Sequence, residues 1–385
     1  MYRLMVIAFL FTSYKADAAP DTLNFKSADE ATYKYYMQQK WDSVINIGSL
    51  AIEQGIDYYY LRMRIGIAYY SKKQYRLAEP HFLKALYYNS SNDVAKSYLF
   101  YCYVYSDQYD QAGKLSCTFS DSLSNALGTK QHKLIDVIDA DLGEKLSSDT
   151  KLYDNAYFAQ LETANHIGKQ LSFFESYTYY NQTAYWGHVD QSDIYIKGNI
   201  PLPKQWLLTP AVNIVFVDAQ PYNYNSIQFV SLIACQRSFD IADIGVSLSY
   251  SDIEFKTQTQ EALLLTCYPL GNNKLVAKAT VSLQEDSFKT LRSGVSGSID
   301  YKPFLRLTLT GTYYNSNARY INESDAYLVN NAFTLTTSRF TFCASVAISK
   351  HVNIYALYQY ENAKDIFKNI PFHYNTAMAG LKFYL

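Results

Sequence analysis

Charge is the first thing this sequence has little of. Asp, Glu, Lys and Arg make up 18% of its 385 residues, against about a quarter in ordinary soluble domains. The signs balance to a net −1 and no long run of Lys or Arg occurs, which excludes a dedicated nucleic-acid binder. Paired cysteines are missing too. Cys102, Cys117, Cys235, Cys267 and Cys343 form no C-x-x-C pair and no metal-ligand spacing, so neither a disulfide framework nor a zinc site is expected, only buried or lipid-facing thiols. Phosphate loops, zinc-binding runs and nucleophile elbows are also wanting. The residues therefore assign no catalytic group, no metal ligand and no cofactor.

Long hydrophobic runs are the last absence. The one compact apolar stretch, Leu4 to Phe11 in "MYRLMVIAFLFTSYKADAAP", is too short to span a bilayer. Arg3 precedes it and Ala16-Asp17-Ala18 follows, the order of a signal peptide over residues 1–18. What the chain has in quantity is aromatic side chains, 39 Tyr and 21 Phe. Tyrosine joins an apolar ring to a polar tip and suits boundaries between oil and water.

Between residues 30 and 115 a period is visible. Tyr35, Tyr69 and Tyr103 are 34 residues apart, and Trp41, Tyr75 and Tyr109 repeat that interval six residues later. In "LRMRIGIAYYSKKQYRLAEPHFLKAL", Gly66, Tyr69, Tyr75, Ala78, Phe82 and Ala85 alternate small with large, as two closely crossing helices require. Tyr103, Tyr109 and Ala112 continue the pattern, with Phe100 where glycine is usual, and Thr32 and Val44 replace small residues in the first unit. The segment resembles the tetratricopeptide-repeat family. That resemblance implies a short all-α solenoid over residues 25–125 with a concave groove for a partner protein or peptide.

From about residue 130 the period becomes two. Ile244, Val246, Leu248 and Tyr250 oppose Gly245, Ser247 and Ser249; Leu305, Leu307, Leu309 and Tyr313 oppose Arg306, Thr308, Thr310 and Thr312. Segments of nine to twelve residues whose apolar faces end in Tyr fit strands crossing a membrane, not a soluble sandwich. The spacing predicts an antiparallel transmembrane β-barrel over residues 130–385 with about 14 strands, or 12 if two weak segments are loops. Short turns should alternate with long outer loops such as "NQTAYWGHVDQS", "AQPYNYNS" and "NSNARYINESDAYLVNN". On this reading His166 and His351 fall in short turns. His188 and His373 fall in outer loops, where His188-Val189-Asp190 is a solvated run before it is a dyad. The alternation turns Lys197, Lys278, Arg292, Arg306, Arg339 and Lys382 into the lumen. They are either a cationic lining for anionic solutes or part of a plug of paired charges.

The closing "AGLKFYL" places Gly380, Phe383 and Leu385 where outer-membrane barrels carry the signal read by their assembly machinery, with Leu381, Phe383 and Leu385 toward lipid. The whole resembles outer-membrane proteins that set tetratricopeptide repeats in the periplasm before a C-terminal barrel, an order shared with exopolysaccharide export porins. The resemblance implies an α+β two-domain protein of the bacterial outer membrane, in contact with its lipid. It also implies a non-enzymatic barrel whose repeats dock a periplasmic partner, with a glycan or small anionic solute as candidate cargo. The alternatives are a structural or assembly subunit with a plugged barrel, and an outer-membrane barrel enzyme.

Overall fold

A computed structural model describes residues 23–129, 135–168, 171–221, 224–253, 256–317, 322–323, 325–329 and 334–385. The expected signal peptide and His132 lie outside them. Helices α1 (Phe25–Met37), α3 (Tyr59–Ser71) and α5 (Asp93–Tyr105) each pair with the helix that follows, α2 (Trp41–Glu53), α4 (Tyr75–Tyr88) and α6 (Tyr109–Ser116). Both series start at intervals of 34 residues (25, 59, 93 and 41, 75, 109). The turns repeat as well: Gln39, Lys73 and Asp107 take φ of 54°, 60° and 55°, the left-handed conformation that reverses a chain after a helix. A short helix α7 (Asp121–Ala126) follows.

Size complementarity makes the hairpins close. A Cβ on Gly66 would lie 2.8 Å from the Phe82 ring, so the small residue sits where the large one presses. One period on, the two positions hold Phe100 and buried Ser116, with large and small exchanged. Thr32, the corresponding residue of the first hairpin, is buried but satisfied, its hydroxyl donating to the Ala28 carbonyl at 2.7 Å. Ala78, Phe82, Ala85, Tyr103 and Ala112 share one core, with Tyr69 and Tyr75 packed against it. Tyr109 departs from the expected packing role and is exposed. Tyr75 has Tyr105 of the next hairpin 4.8 Å away, whereas among the described residues no further helical hairpin stacks on Tyr109; its hydroxyl donates to Asp107 instead.

The second part is a closed antiparallel barrel of fourteen strands. They are β1 (Ile135–Ser147), β2 (Tyr153–Ile167), β3 (Leu171–Ala184), β4 (Gly187–Pro201), β5 (Trp206–Gln220), β6 (Tyr224–Ser238) and β7 (Ala242–Ile253). Then come β8 (Lys256–Cys267), β9 (Leu275–Asp286), β10 (Leu291–Phe304), β11 (Leu307–Ser316), β14 (Thr334–Ala347), β15 (Val352–Asp365) and β16 (Pro371–Tyr384). Two short pieces between β11 and β14, β12 (Asn322–Glu323) and β13 (Leu328–Val329), pair with each other. β16 closes on β1 from Val137↔Tyr384 to Ser147↔Tyr374.

Outward residues such as Leu142, Leu161, Val246, Leu263, Ile299 and Phe340 are exposed, while Asn213, Gln228, Ser249, Ser251, Gln260 and Gln284 are buried inside. An apolar exterior around a closed hydrogen-bonded wall is the form a sheet must take in hydrocarbon. Among the described residues no helix is long and apolar enough to cross a membrane.

Several connections differ from expectation. "NQTAYWGHVDQS" is not a long loop: β3 runs to Ala184 and β4 starts at Gly187, so only Tyr185 and Trp186 turn. His188 and His373 accordingly lie on strands, and His166 lies near the end of β2, paired with Asp136. These strand ends are rich in Asn, Gln, Thr and Tyr, and a polar composition reads as loop even where the hydrogen-bond ladder continues. Arg306 sits in the turn between Phe304 and Leu307, not on the lumen wall. The alternation of Leu305 and Leu307 runs through that turn without a break.

The seam explains one residue of the closing strand. A Cβ on Gly380 would stand 1.9 Å from Asp141 Oδ1 and 2.3 Å from the Tyr355 ring, so a side chain there must displace the residues that face it. Gly380→Val is expected to leave the other thirteen pairings able to form but to impair closure. The check is the fraction of heat-modifiable, fast-migrating barrel in gels after insertion into membranes. A normal fraction would contradict the seam account.

Candidate functional site: the lumen and its mouth

The lumen cations come from strands whose inward positions alternate with apolar outward ones, and carboxylates meet most of them. Lys278 pairs with Asp300 of the neighbouring strand at 2.9 Å, and Lys382 with Asp139 across the seam at 2.8 Å. Lys197 pairs with Asp325 at 3.3 Å, and Arg339 with Glu323. Arg292 instead donates to the Asn317 carbonyl at 3.0 Å, near the rim. The expected cationic lining is thus a set of paired charges. Half of the neutralising acids, Glu323 and Asp325, belong to the connection between β11 and β14, which the sequence places outside the barrel.

That connection folds inward. Ala326 is fully buried within a cluster that includes Tyr195, Ala211, Val230 and Leu232 of the wall. Asn213 Nδ2 donates to the Ala326 carbonyl at 3.1 Å, and Tyr195 to the Asp325 carbonyl at 2.9 Å. Gln260 and Asn322 exchange hydrogen bonds of 2.8 and 3.0 Å. Asn322 also donates to Ser249 at 3.1 Å, and Tyr327 donates to Glu162. Polar wall residues that could have faced water thus satisfy the backbone of a loop, as buried backbone groups require.

The end of the barrel away from the helices is filled along one wall. Tyr153 and Phe372 stack at 5.1 Å, the Tyr153 hydroxyl donates to Asp365 at 2.7 Å, and Lys145 joins Glu361 at 3.1 Å while lying 3.9 Å from the Tyr374 ring. The inner face toward the helical end is more open. There Ser298, Thr308, Thr310, Thr312, Thr341 and Ser345 are partly accessible, a hydroxyl-lined vestibule below the inward loop.

The helices are docked at this same end, where the chain enters β1. Arg76, in the first turn of α4, gives Asp243 two parallel hydrogen bonds of 2.7 and 2.9 Å. Its guanidinium lies 3.6 Å from the Tyr268 ring, and the Tyr268 hydroxyl donates to the same carboxylate at 2.8 Å. The Arg76 amide donates to the Gly271 carbonyl at 3.0 Å. The repeated turns and the start of α6 provide further contacts: Asn272 donates to the Lys73 carbonyl at 2.9 Å, Lys302 lies 3.3 Å from Asp107, and Ser172 donates to Asp110 at 2.6 Å. Beside the dock, burial pushes the Glu79 carboxyl up to about 8, against the pull of nearby Arg76. Gln108 donates to it at 2.6 Å.

No protein-family model matches the sequence, and no curated protein matches it. Solved barrels are similar in shape alone. A monoaromatic hydrocarbon channel, CymD, aligns with 69% of this chain and 92% of its own at 6% identity and a TM-score of 0.48. The toluene transporter TodX of Pseudomonas putida covers 65% of this chain and 88% of its own at 8% identity and a TM-score of 0.44. A bacterial polysaccharide outer membrane secretin covers 66% and 100% at 10% identity and 0.42. These scores add nothing to the barrel that the strand register already defines, and what those proteins carry says nothing of this lumen.

Proposed function

We propose that the chain is a non-enzymatic outer-membrane barrel held closed by its own β11–β14 connection, with its helical repeats in the periplasm. The observation that carries this reading is the loop seated in the lumen, its Asp325 and Glu323 paired with wall cations Lys197 and Arg339. The repeats have the 34-residue period and the crossing glycine of tetratricopeptide units, and a partner protein or peptide engaging them is positioned to act on the mouth. With the wall cations neutralised and the vestibule lined by hydroxyls, an uncharged glycan is the better-supported cargo than a small anion. A permanently plugged assembly subunit is the second reading, supported by the same loop.

Sugar-driven swelling of proteoliposomes tests the two. Lys197 and Asp325 are both partly exposed, so their pair contributes about 1 kcal/mol or less. Its removal in Lys197→Met or Asp325→Asn is expected to raise the open fraction on the order of fivefold at most. Unchanged, undetectable swelling in both variants would favour the assembly subunit. The docking claim has its own check: a tagged form of the full chain should retain a periplasmic protein that a form lacking residues 25–125 does not.

A further inference from the structure

Three carboxylates gather in the wall beneath the inward loop. Asp139 and Asp141 share the inner face of β1, and Glu162 is the cross-strand neighbour of Asp139 on β2. The three carboxylates bring one oxygen each within 4.8 Å of one another. Asp139 and Asp141 are 2% and 3% exposed. Unscreened like charges this close repel strongly unless something positive joins them. Among the described residues one cation joins them, Lys382, at 2.8 Å from Asp139 Oδ2. Tyr355 and Tyr327 give hydroxyl donors to Asp141 and Glu162, which ease but do not cancel charge.

A second observation points to a ligand. Asp139 Oδ1 is buried and has no hydrogen-bond partner among the described residues, although a buried carboxylate oxygen without one is strongly disfavoured. We propose that Asp139, Asp141 and Glu162 bind one calcium ion, which supplies the missing positive charge and takes that oxygen as a ligand. The ligand set favours calcium: Ca²⁺ takes six to eight oxygens, carboxylates among them, in flexible geometry, whereas Mg²⁺ demands a near-ideal octahedron and keeps several of its waters. The ion would also tie the loop to the wall, since Tyr327 of the loop donates to Glu162. The binding claim itself stands apart from the channel reading.

The full chain, folded in detergent and stripped with a chelator, tests it by terbium luminescence excited through tyrosine and competed with calcium. Tyr327 and Tyr355 touch the carboxylates and are the expected sensitisers. One saturable site is expected, reversed by calcium in preference to magnesium. Glu162→Gln should weaken it about tenfold or more, because affinity follows the charge count of the ligands. Among the described residues no salt bridge holds Glu162, which feels Lys382 only at a distance, so this variant should keep its fold; Asp139→Asn, which also strips Lys382 of its partner, is the harsher companion. Tyr327→Phe should dim the signal while calcium binding by equilibrium dialysis persists. Absence of saturable binding in the unmodified chain, or equal affinity in folded Glu162→Gln, would overturn the proposal and leave a protonated carboxyl cluster as the account of the site.

Discussion

Excising residues 318–330, so that Asn317 leads through a short Gly-Ser link to Asn331, should turn a closed barrel into a steadily conducting one. The wall does not depend on the loop, because β11 pairs directly with β14 from Leu307↔Val346 to Asn315↔Ser338. What the excision removes is Ala326 and the polar contacts made by Asn322, Glu323, Asp325 and Tyr327. What it uncovers is mostly able to meet water: Asn213, Ser249, Gln260, Lys197 and Arg339. A large effect is expected because the whole obstruction goes at once, unlike single pairs that shift a balance by about 1 kcal/mol. Planar-bilayer recording gives the answer, with constant current in the variant and rare or no opening in the parent. A silent variant would assign closure to the Tyr153, Phe372 and Tyr374 wall and end the loop-gate reading. Since Lys197 would lose its carboxylate and Arg339 would keep only Glu361, already joined to Lys145, the open variant should also favour anions more than the parent does.

The other large effect is expected at the dock. Arg76 and Asp243 have side chains 2% and 5% exposed, and two parallel hydrogen bonds hold them in one plane. Truncating one partner of such a buried pair typically costs about 3–5 kcal/mol, most of it from the charge left stranded. In Arg76→Met the stranded charge is Asp243, and the helices can relieve it by moving off the barrel mouth and letting water in. The expected result is therefore separation of two folded parts, not unfolding of either. Limited proteolysis should cut between α7 and β1 in the variant while heat-modifiability of the barrel stays normal. The double change Arg76→Met with Asp243→Leu should recover part of the resistance, because no charge remains to be solvated. Equal resistance in parent and single variant would mean that the minor contacts at Lys73, Asp107 and Asp110 suffice.

The repeats and the strand number were legible because each rests on a short-range period. Tyr35, Tyr69 and Tyr103 mark 34 residues without help from the rest of the chain, and strands of alternating Leu and Thr announce their two faces locally. The site was not legible, and the reason is distance. Lys197 meets Asp325 across 128 residues, and no local pattern says that a polar connection will turn inward. The acids were present in "NESDAYLVNN", and a loop with acids opposite a lumen of expected cations was the one available signal. Arg306 and His188 failed for opposite reasons. An apolar alternation ran on through a turn in the first case, and a strand ran on past its apolar stretch in the second. The seam cluster of Asp139, Asp141 and Glu162 was hidden because β1 and β2 each look like an ordinary alternating strand until they lie side by side.

The way the hairpins stand on the mouth has a mechanical consequence. Among the described residues the contacts with the barrel come from Lys73, Arg76, Asp107, Asp110 and their neighbours, all in the second and third hairpins. The first hairpin overhangs them by two helix layers, about 16–20 Å at usual packing distances. A load on α1 therefore reaches Arg76 as a torque and not as a straight pull, and a lever loads its near fulcrum first. The pivot is the buried ion pair, whose planar two-bond geometry resists sliding but yields to peeling one bond at a time. A modest force applied at the free end of the solenoid would be felt at the rim that surrounds the vestibule.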